Sequence, residues 1–405
     1  MFQHQAPRLA DTRTTLDGLG GRVFAGASIV GLAALAASIA LGMAAGDGLR
    51  RFAYSYLTSY AFFLAIALGA LLFVPLQYLT RASWSVILRR PVELMAASIP
   101  LLALLSLPVL LNLPALYEWA HTDLPPEQAE LLAHKQSYLS VPFFLARWVA
   151  YFAIWSGIAL WYWRTSVRQD DRPDPRLTLL MERRSGPAIV IYAVTVTLAS
   201  MDLLMTLDFV WFSTIWGIFY FAGGFVSFFA VLTLLMLALQ LGGRLERVVS
   251  MEHYHDLGKG MFAFSFFWAY IAFSQYMLYW YANIPEETIW FLERSGHGWG
   301  TLGVALIFGA FVAPFLGLVS RHAKRSRALL AFWAVWILVF QWLNVFWVTM
   351  PDYSPHAFTF ALLDVTCFVA IAGLWIAGVT LLARRGSLVP TGDPRLQDSL
   401  EFENA

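Results

Sequence analysis

Apolar residues are grouped along the chain in ten runs of about twenty residues each, separated by shorter polar stretches. A helix of about twenty residues is long enough to cross the hydrocarbon core of a bilayer. The sequence therefore predicts an all-α polytopic membrane protein with ten transmembrane helices. The predicted spans are 23–45, 57–79, 92–113, 141–163, 187–208, 213–242, 259–281, 298–319, 328–349 and 361–383.

These runs divide the chain into three parts. Residues 1–22 form a cytoplasmic N-terminal segment, residues 23–383 form the ten-helix transmembrane domain, and residues 384–405 form a cytoplasmic C-terminal tail that we expect to be mobile. The alternative interpretation of the first run is a cleaved signal peptide. It is disfavoured because the run is longer than a signal h-region and about twenty-two residues precede it.

The basic residues are distributed unevenly between the two sides of the membrane. Of the 27 Lys and Arg residues, 22 fall in segments that share one side when the ten runs cross back and forth. Four lie on the opposite side (Arg50, Arg51, Lys135 and Arg294), and Arg147 lies within a run. The positive-inside rule then places both termini in the cytoplasm.

Composition narrows the possible functions. The chain is 59% hydrophobic and only 13% charged, which excludes a water-soluble domain, and a net charge of +1 gives no reason to expect a nucleic-acid partner. Its only cysteine, Cys367, lies in an apolar run. One cysteine cannot build a disulfide framework, an iron–sulfur cluster, a CxxCH haem attachment or a cysteine-based zinc site.

The histidines are also poorly placed for a cofactor. All eight fall in predicted loops or at span ends: His4, His121, His134, His253, His255, His297, His322 and His356. A membrane b-type haem needs axial ligands that project from facing helices. We therefore expect no haem, iron–sulfur cluster or metal centre in this chain. We interpret the His253–Asp256 stretch as a polar turn at the membrane rim, with a metal site as the less favoured alternative.

Polar residues within the runs share one depth. By helical rise, Arg147, Asp202, Gln275, Asn344 and Asp364 lie about 5 to 9 Å inside the face opposite the basic residues. Ionisable residues inside a membrane mark either a functional site or a paired structural contact. The sequence therefore predicts one polar layer near that face.

Such a layer fits an amphipathic, lipid-soluble substrate such as a quinol, which releases two protons when it is oxidised. Asp202 is the candidate proton acceptor and Arg147 its charge partner, while Gln275, Asn344, Asp364 and Asp208 are candidate quinone-binding residues. The alternative is a structural Arg147–Asp202 pair that joins two helices. Thr195, two helical turns before Asp202, permits a proton route, although intramembrane hydroxyls more often bond to the backbone.

Several aromatic-rich and polar segments of the chain form a recognisable set. They are YLSVPFF at 138–144, ASMDLLMTLD at 199–208, WFSTIWGIFYFAGG at 211–224, HDLGKGMFAF at 255–264, WAYIAFSQY at 268–276 and WYANIPEE at 280–287. Together these segments resemble the ActF-type membrane subunits of alternative complex III, a bacterial quinol:cytochrome c oxidoreductase. Leu203 and Phe209 depart from the family pattern, where Trp and Pro are more usual.

The resemblance implies a fold of the NrfD or polysulfide-reductase-C type, with two four-helix bundles and two peripheral helices. It also implies a location in the bacterial inner membrane and three kinds of protein partner: an ActC-like paralogue, iron–sulfur subunits and haem c subunits. Quinol would be the substrate, and no redox cofactor would be bound by this chain. Because the ActC-like paralogue is the stronger candidate for quinol oxidation in that family, the polar layer could instead serve proton translocation.

Two other functions remain open from the sequence. The chain could be a structural membrane anchor of such a complex. It could also be a secondary transporter, because Pro100, Pro108 and Pro314 lie inside predicted spans and interrupted helices are common in transporters.

Overall fold

The computed structural model describes residues 9–121 and 124–404. His4 and the first eight residues of the predicted N-terminal segment lie outside this part. The described residues are helical with no β-strand, and they contain ten apolar helices long enough to span a membrane. These helices are α1 Asp17–Ala44, α2 Arg50–Leu79, α3 Val86–Leu111, α4 Val141–Asp171, α5 Pro175–Leu207, α6 Trp216–Leu241, α7 Met251–Ala282, α8 Trp299–Val319, α9 Arg327–Tyr353 and α10 Leu362–Ala383.

The ten predicted spans are confirmed as long apolar helices, although most are longer than predicted. The difference is largest at the start of α5, which begins at Pro175 rather than at residue 187. Helix α7 also begins earlier than predicted, at Met251 rather than at residue 259. Ser250 caps this helix: its backbone N–H donates to Nδ1 of His253 at 3.1 Å. The prediction of a polar turn at the rim is wrong, because His253 and His255 are helical and buried.

Helix α2 occupies the centre of the molecule and packs against α3, α5, α6, α9 and α10. Consecutive helices are in contact from α2 to α5, and again from α6 to α9. Helix α1 packs mainly on α10 and leaves most of its surface exposed. The backbones of α1 and α10 approach closely at Gly31 and Gly373. A Cβ on Gly31 would lie only 2.7 Å from the backbone nitrogen of Leu374, so no larger residue fits there without displacement. Small residues permit such contacts between membrane helices.

Helix α3 is interrupted at Ser98 and Ser106. Each interruption precedes a proline, Pro100 or Pro108, which cannot donate a backbone hydrogen bond. Hydroxyl groups from α2 satisfy the exposed carbonyls: Tyr60 donates to Leu102 at 3.1 Å and Tyr56 donates to Leu105 at 2.8 Å. Irregular backbone at membrane depth persists only when it is satisfied in this way.

The segments rich in Lys and Arg gather on one side of the molecule, here called the basic face. There Arg244 donates to the backbone of Thr15 at 2.7 Å, and the backbone N–H of Leu388 donates to Thr14. In contrast to the expected mobile tail, residues 384–404 pack against this face. Leu388 and Val389 are buried, and Asp393 pairs with Arg89.

Candidate functional site

Arg147 and Asp202 form a two-pronged ion pair between α4 and α5. Nε and Nη2 of Arg147 each donate to a different carboxylate oxygen of Asp202 at 2.8 Å. Tyr151, one turn after Arg147, donates its hydroxyl to the same carboxylate at 2.8 Å. The exposed fractions of Asp202 and Arg147 are 1% and 8%. The candidate proton acceptor and its candidate charge partner are therefore in direct contact in the structure.

The third guanidinium nitrogen of Arg147 is also hydrogen-bonded, and two aromatic rings pack against the guanidinium group. Its Nη1 donates to the carbonyl of Tyr138 at 2.9 Å, and its guanidinium carbon lies 3.8 Å from the centre of the Tyr138 ring. Phe143 covers the guanidinium at 4.5 Å. Burial, together with the negative charge of Asp202, raises the pKa of Tyr138 to about 12.

This geometry defines what Asp202 can do. Its two oxygens accept three side-chain hydrogen bonds, which occupy three of the about four acceptor positions of a carboxylate. Thr195 donates to the carbonyl of Ile191 and accepts from the indole N–H of Trp155. The Thr195 hydroxyl is thus bonded to the helix backbone, which is the alternative to a proton route. These contacts give no chain of hydrogen bonds from Thr195 to Asp202.

Asp364 belongs to a different cluster, between α2 and α10. It accepts from Nη2 of Arg51 at 2.6 Å and from the hydroxyl of Ser55 at 2.7 Å. It also accepts the backbone N–H of Ala361, which caps the start of α10. These contacts make Asp364 a paired, buried anchor of α10 to α2.

The other predicted residues are dispersed as well. Asn344 lines a small internal cavity between α2, α6 and α9, and Gln275 is buried on α7. Asp208 accepts the backbone N–H groups of Val210 and Trp211 in the α5–α6 connection. The expectation of one convergent site is therefore not met. Helical rise gives the depth of each residue, but the direction of each side chain depends on how every helix is rotated about its axis.

The structure instead contains a surface cavity that sequence reasoning missed. It has a volume of about 320 Å³ and lies on the face opposite the basic face, beside the end of α3. We call it the outer pocket. Its lining residues are Arg50, Tyr54, Pro114, Ala115, Leu116, Glu118 and His121.

A wall of tyrosines separates the outer pocket from the ion pair. Tyr54 in the pocket donates to the carbonyl of Leu116 at 3.1 Å. The next residue, Tyr117, is fully buried and donates to the carbonyl of Leu203, adjacent to Asp202, at 2.9 Å. Burial and the charge of Asp202 raise the pKa of Tyr117.

A sequence signal for this pocket exists in hindsight. Three prolines, at 100, 108 and 114, follow one another at intervals of six to eight residues, and the polar residues Glu118 and His121 come directly after them. Repeated prolines end a straight helix and leave space beside the neighbouring helix. Tertiary packing brings Arg50 and Tyr54 of α2 close to this segment, so the sequence of the segment does not predict their presence in the pocket.

Comparison with known proteins does not assign the chain to a family: no family model matches the sequence, and a search of curated proteins gives no match. Within residues 9–121 and 124–404, no group of three or more His, Cys, Asp or Glu side chains is arranged to hold a metal ion.

Proposed function

We propose that the chain is an integral membrane subunit of a bacterial quinol:electron-acceptor oxidoreductase of the alternative complex III type, contributing a quinone-facing site. In this proposal it lies in the inner membrane with both termini in the cytoplasm. Its helices form two four-helix bundles, α2–α5 and α6–α9, with α1 and α10 peripheral. Electrons leave through an ActC-like paralogue and through iron–sulfur and haem c subunits, because this chain would carry no redox cofactor of its own.

The observation that carries the proposal is the outer pocket. Its volume of about 320 Å³ falls within the range of small-molecule sites, which is about 300–1,000 Å³. Leu107 and Leu111, on the adjoining part of α3, are 50% and 79% exposed. An apolar surface next to a polar pocket is what a lipid-soluble molecule with a polar head group requires.

The polar residues of the pocket suit the chemistry of a quinol. Oxidation removes two protons and two electrons from the two ring hydroxyls. The Glu118 carboxylate and the His121 imidazole can each accept a proton, and the guanidinium of Arg50 can donate a hydrogen bond to a ring oxygen. Asp202 is separated from the outer pocket by Tyr54 and Tyr117. In this proposal, therefore, Glu118 and His121 accept the protons of the quinol, and Asp202 does not.

The test is quinol turnover by the purified complex. We expect Glu118→Gln and His121→Asn each to lower kcat by about 10²-fold or more, since positioned general bases contribute about 10²–10⁴-fold. Glu130→Gln is the matched control, because Glu130 is an exposed carboxylate in the same outer loop but outside the pocket. Normal turnover in both pocket variants would contradict a quinol site here and would favour the structural anchor.

Membership of a complex is tested separately. We expect an affinity-tagged chain, purified from its native membranes, to bring with it subunits that show the redox difference spectrum of haem c. Purification of the chain alone under mild detergent conditions would contradict the respiratory-complex proposal. It would favour the transporter alternative, to which the interrupted α3 and the π-helical segment Ile307–Val312 before Pro314 are relevant.

A further inference from the structure

A second, much smaller cavity lies inside the helix packing, between α2, α6 and α9. It has a volume of about 20 Å³ and shares no lining residue with the outer pocket. Most of its wall is apolar, including Phe62, Phe219 and Val345, but Gln341 and Asn344 from α9 also face it.

The side chain of Gln341 is buried beside this cavity. It is 2% exposed, and within the described residues neither its amide nitrogen nor its amide oxygen makes a hydrogen bond. A primary amide offers two donors and an acceptor, and the hydrocarbon around a membrane helix can satisfy none of them. A buried amide that lines a cavity therefore indicates a hydrogen-bonding ligand in that cavity.

Gly223 on α6 keeps space open beside this amide. A Cβ at position 223 would lie 2.9 Å from the amide oxygen of Gln341 and 3.6 Å from the indole nitrogen of Trp268. The Trp268 indole N–H is itself buried and without a partner among the described residues. Donors and an acceptor from α7 and α9 thus converge beside a residue that has no side chain.

We propose that this cavity binds a single water molecule. A cavity needs about 10–15 Å³ of water-accessible volume to hold one water, so about 20 Å³ accommodates one and excludes a quinone ring. The water donates to the amide oxygen of Gln341 and accepts from an amide N–H of Gln341 or Asn344, the two amide residues that line the cavity. It satisfies polar groups of α9 that the surrounding apolar side chains cannot.

A structure of the purified protein in lipid nanodiscs, at a resolution that shows ordered water, tests this directly. We expect a solvent peak within about 2.7–3.2 Å of the Gln341 amide. A dry cavity, with the amide turned to bond a protein group, would overturn the proposal.

X-ray hydroxyl-radical labelling gives an independent readout, because radicals form at bound water and oxidise adjacent side chains. Trp216 lines the cavity and Trp155 does not, yet both are almost fully buried, at 1% and 0% exposed. We expect labelling of Trp216 above Trp155 in the wild-type protein. Equal labelling of the two would count against the water.

The variant Gln341→Met removes the amide while keeping a similar volume. Labelling of Trp216 is expected to fall to the level of Trp155, and unchanged labelling would show that the radicals arise elsewhere. If this variant does not fold, the wild-type comparison of Trp216 with Trp155 still decides the question.

Discussion

At the scale of single residues, the main feature of this protein is that charges buried within the helices are paired. Arg147 with Asp202 and Arg51 with Asp364 each join two helices, and each carboxylate accepts at least one further hydrogen bond. A buried pair need not stabilise a fold relative to apolar residues, but loss of one partner leaves an uncompensated charge. Pairing therefore matters for folding whether or not it serves chemistry.

We expect Arg147→Gln to lower the free energy of unfolding by about 3–5 kcal/mol, because Asp202 stays buried without its cation. The measurement is unfolding in mixed micelles with a rising fraction of dodecyl sulfate. The control is Arg81→Gln, which removes a pair with Glu182 in which the Arg81 side chain is 75% exposed. Such surface pairs are worth about 0–1 kcal/mol.

The double variant Arg147→Leu with Asp202→Leu separates stability from function. It removes both charges, so we expect it to be more stable than Arg147→Gln alone. If the double variant is as unstable as the single one, the cost does not come from an unpaired carboxylate. If its complex keeps full quinol turnover, Asp202 has no catalytic part.

At the scale of helices, α3 shows how an irregular membrane segment is supported. Carbonyls in the turn before its second interruption accept hydrogen bonds from Tyr56 and Tyr60 of α2, and indole N–H groups bond the serines at both interruptions. Trp148 donates to Ser106 at 3.0 Å, and Trp375 donates to Ser98 at 2.8 Å. The side chains of neighbouring helices thus supply hydrogen bonds at both interruptions of α3.

We expect Tyr56→Phe and Tyr60→Phe each to cost about 1–3 kcal/mol of unfolding free energy, because each leaves a buried carbonyl without a donor. Tyr281→Phe should cost nothing measurable, since Tyr281 is 84% exposed. The same unfolding assay in mixed micelles checks all three variants. Equal stabilities would mean that α3 satisfies its own carbonyls by rearranging.

The packing of α1 against α10 depends on a close contact at Gly31. We expect Gly31→Val to displace α1 while the other helices stay packed, because a side chain at this position meets the α10 backbone. Gly26→Val is the control, since a Cβ on Gly26 meets no atom within 4 Å.

Disulfide crosslinking measures this displacement. The hydroxyls of Ser38 and Thr366 lie 2.9 Å apart, so Ser38→Cys with Thr366→Cys should crosslink α1 to α10 in a Cys367→Ser background. Adding Gly31→Val should abolish the crosslink, and adding Gly26→Val should preserve it. A crosslink that survives Gly31→Val would show that the helices tolerate a wider separation.

At the scale of the whole molecule, the two faces differ in charge and in packing. The basic face is tied together by contacts among the N-terminal segment, the interhelical loops and the C-terminal tail. The opposite face contains the outer pocket. Orientation in the membrane therefore decides from which side a ligand or partner reaches the pocket.

The positive-inside rule predicts that the basic face is cytoplasmic. In a Cys367→Ser background, we expect a membrane-impermeant maleimide to label Tyr281→Cys in intact cells. It should label Arg81→Cys only after permeabilisation. The reverse pattern would contradict the predicted orientation and would place the outer pocket on the cytoplasmic side.

The sequence by itself was sufficient for properties that depend on local composition. Ten apolar runs predicted ten helices, because hydrophobic length alone decides whether a segment can span a bilayer. It also placed Arg147 and Asp202 at one depth, since helical rise is constant. For this reason both interpretations of these residues, catalytic and structural, included their pairing.

Only the tertiary structure decided what depends on how the helices rotate and approach one another. It separated Asn344, Gln275 and Asp364 from the Arg147–Asp202 pair, and it packed the tail expected to be mobile against the basic face. It also brought Arg50 next to Glu118 and His121 in the outer pocket. The direction of a side chain around its helix axis is set by packing with neighbours distant in sequence, and the order of residues along one helix does not contain it.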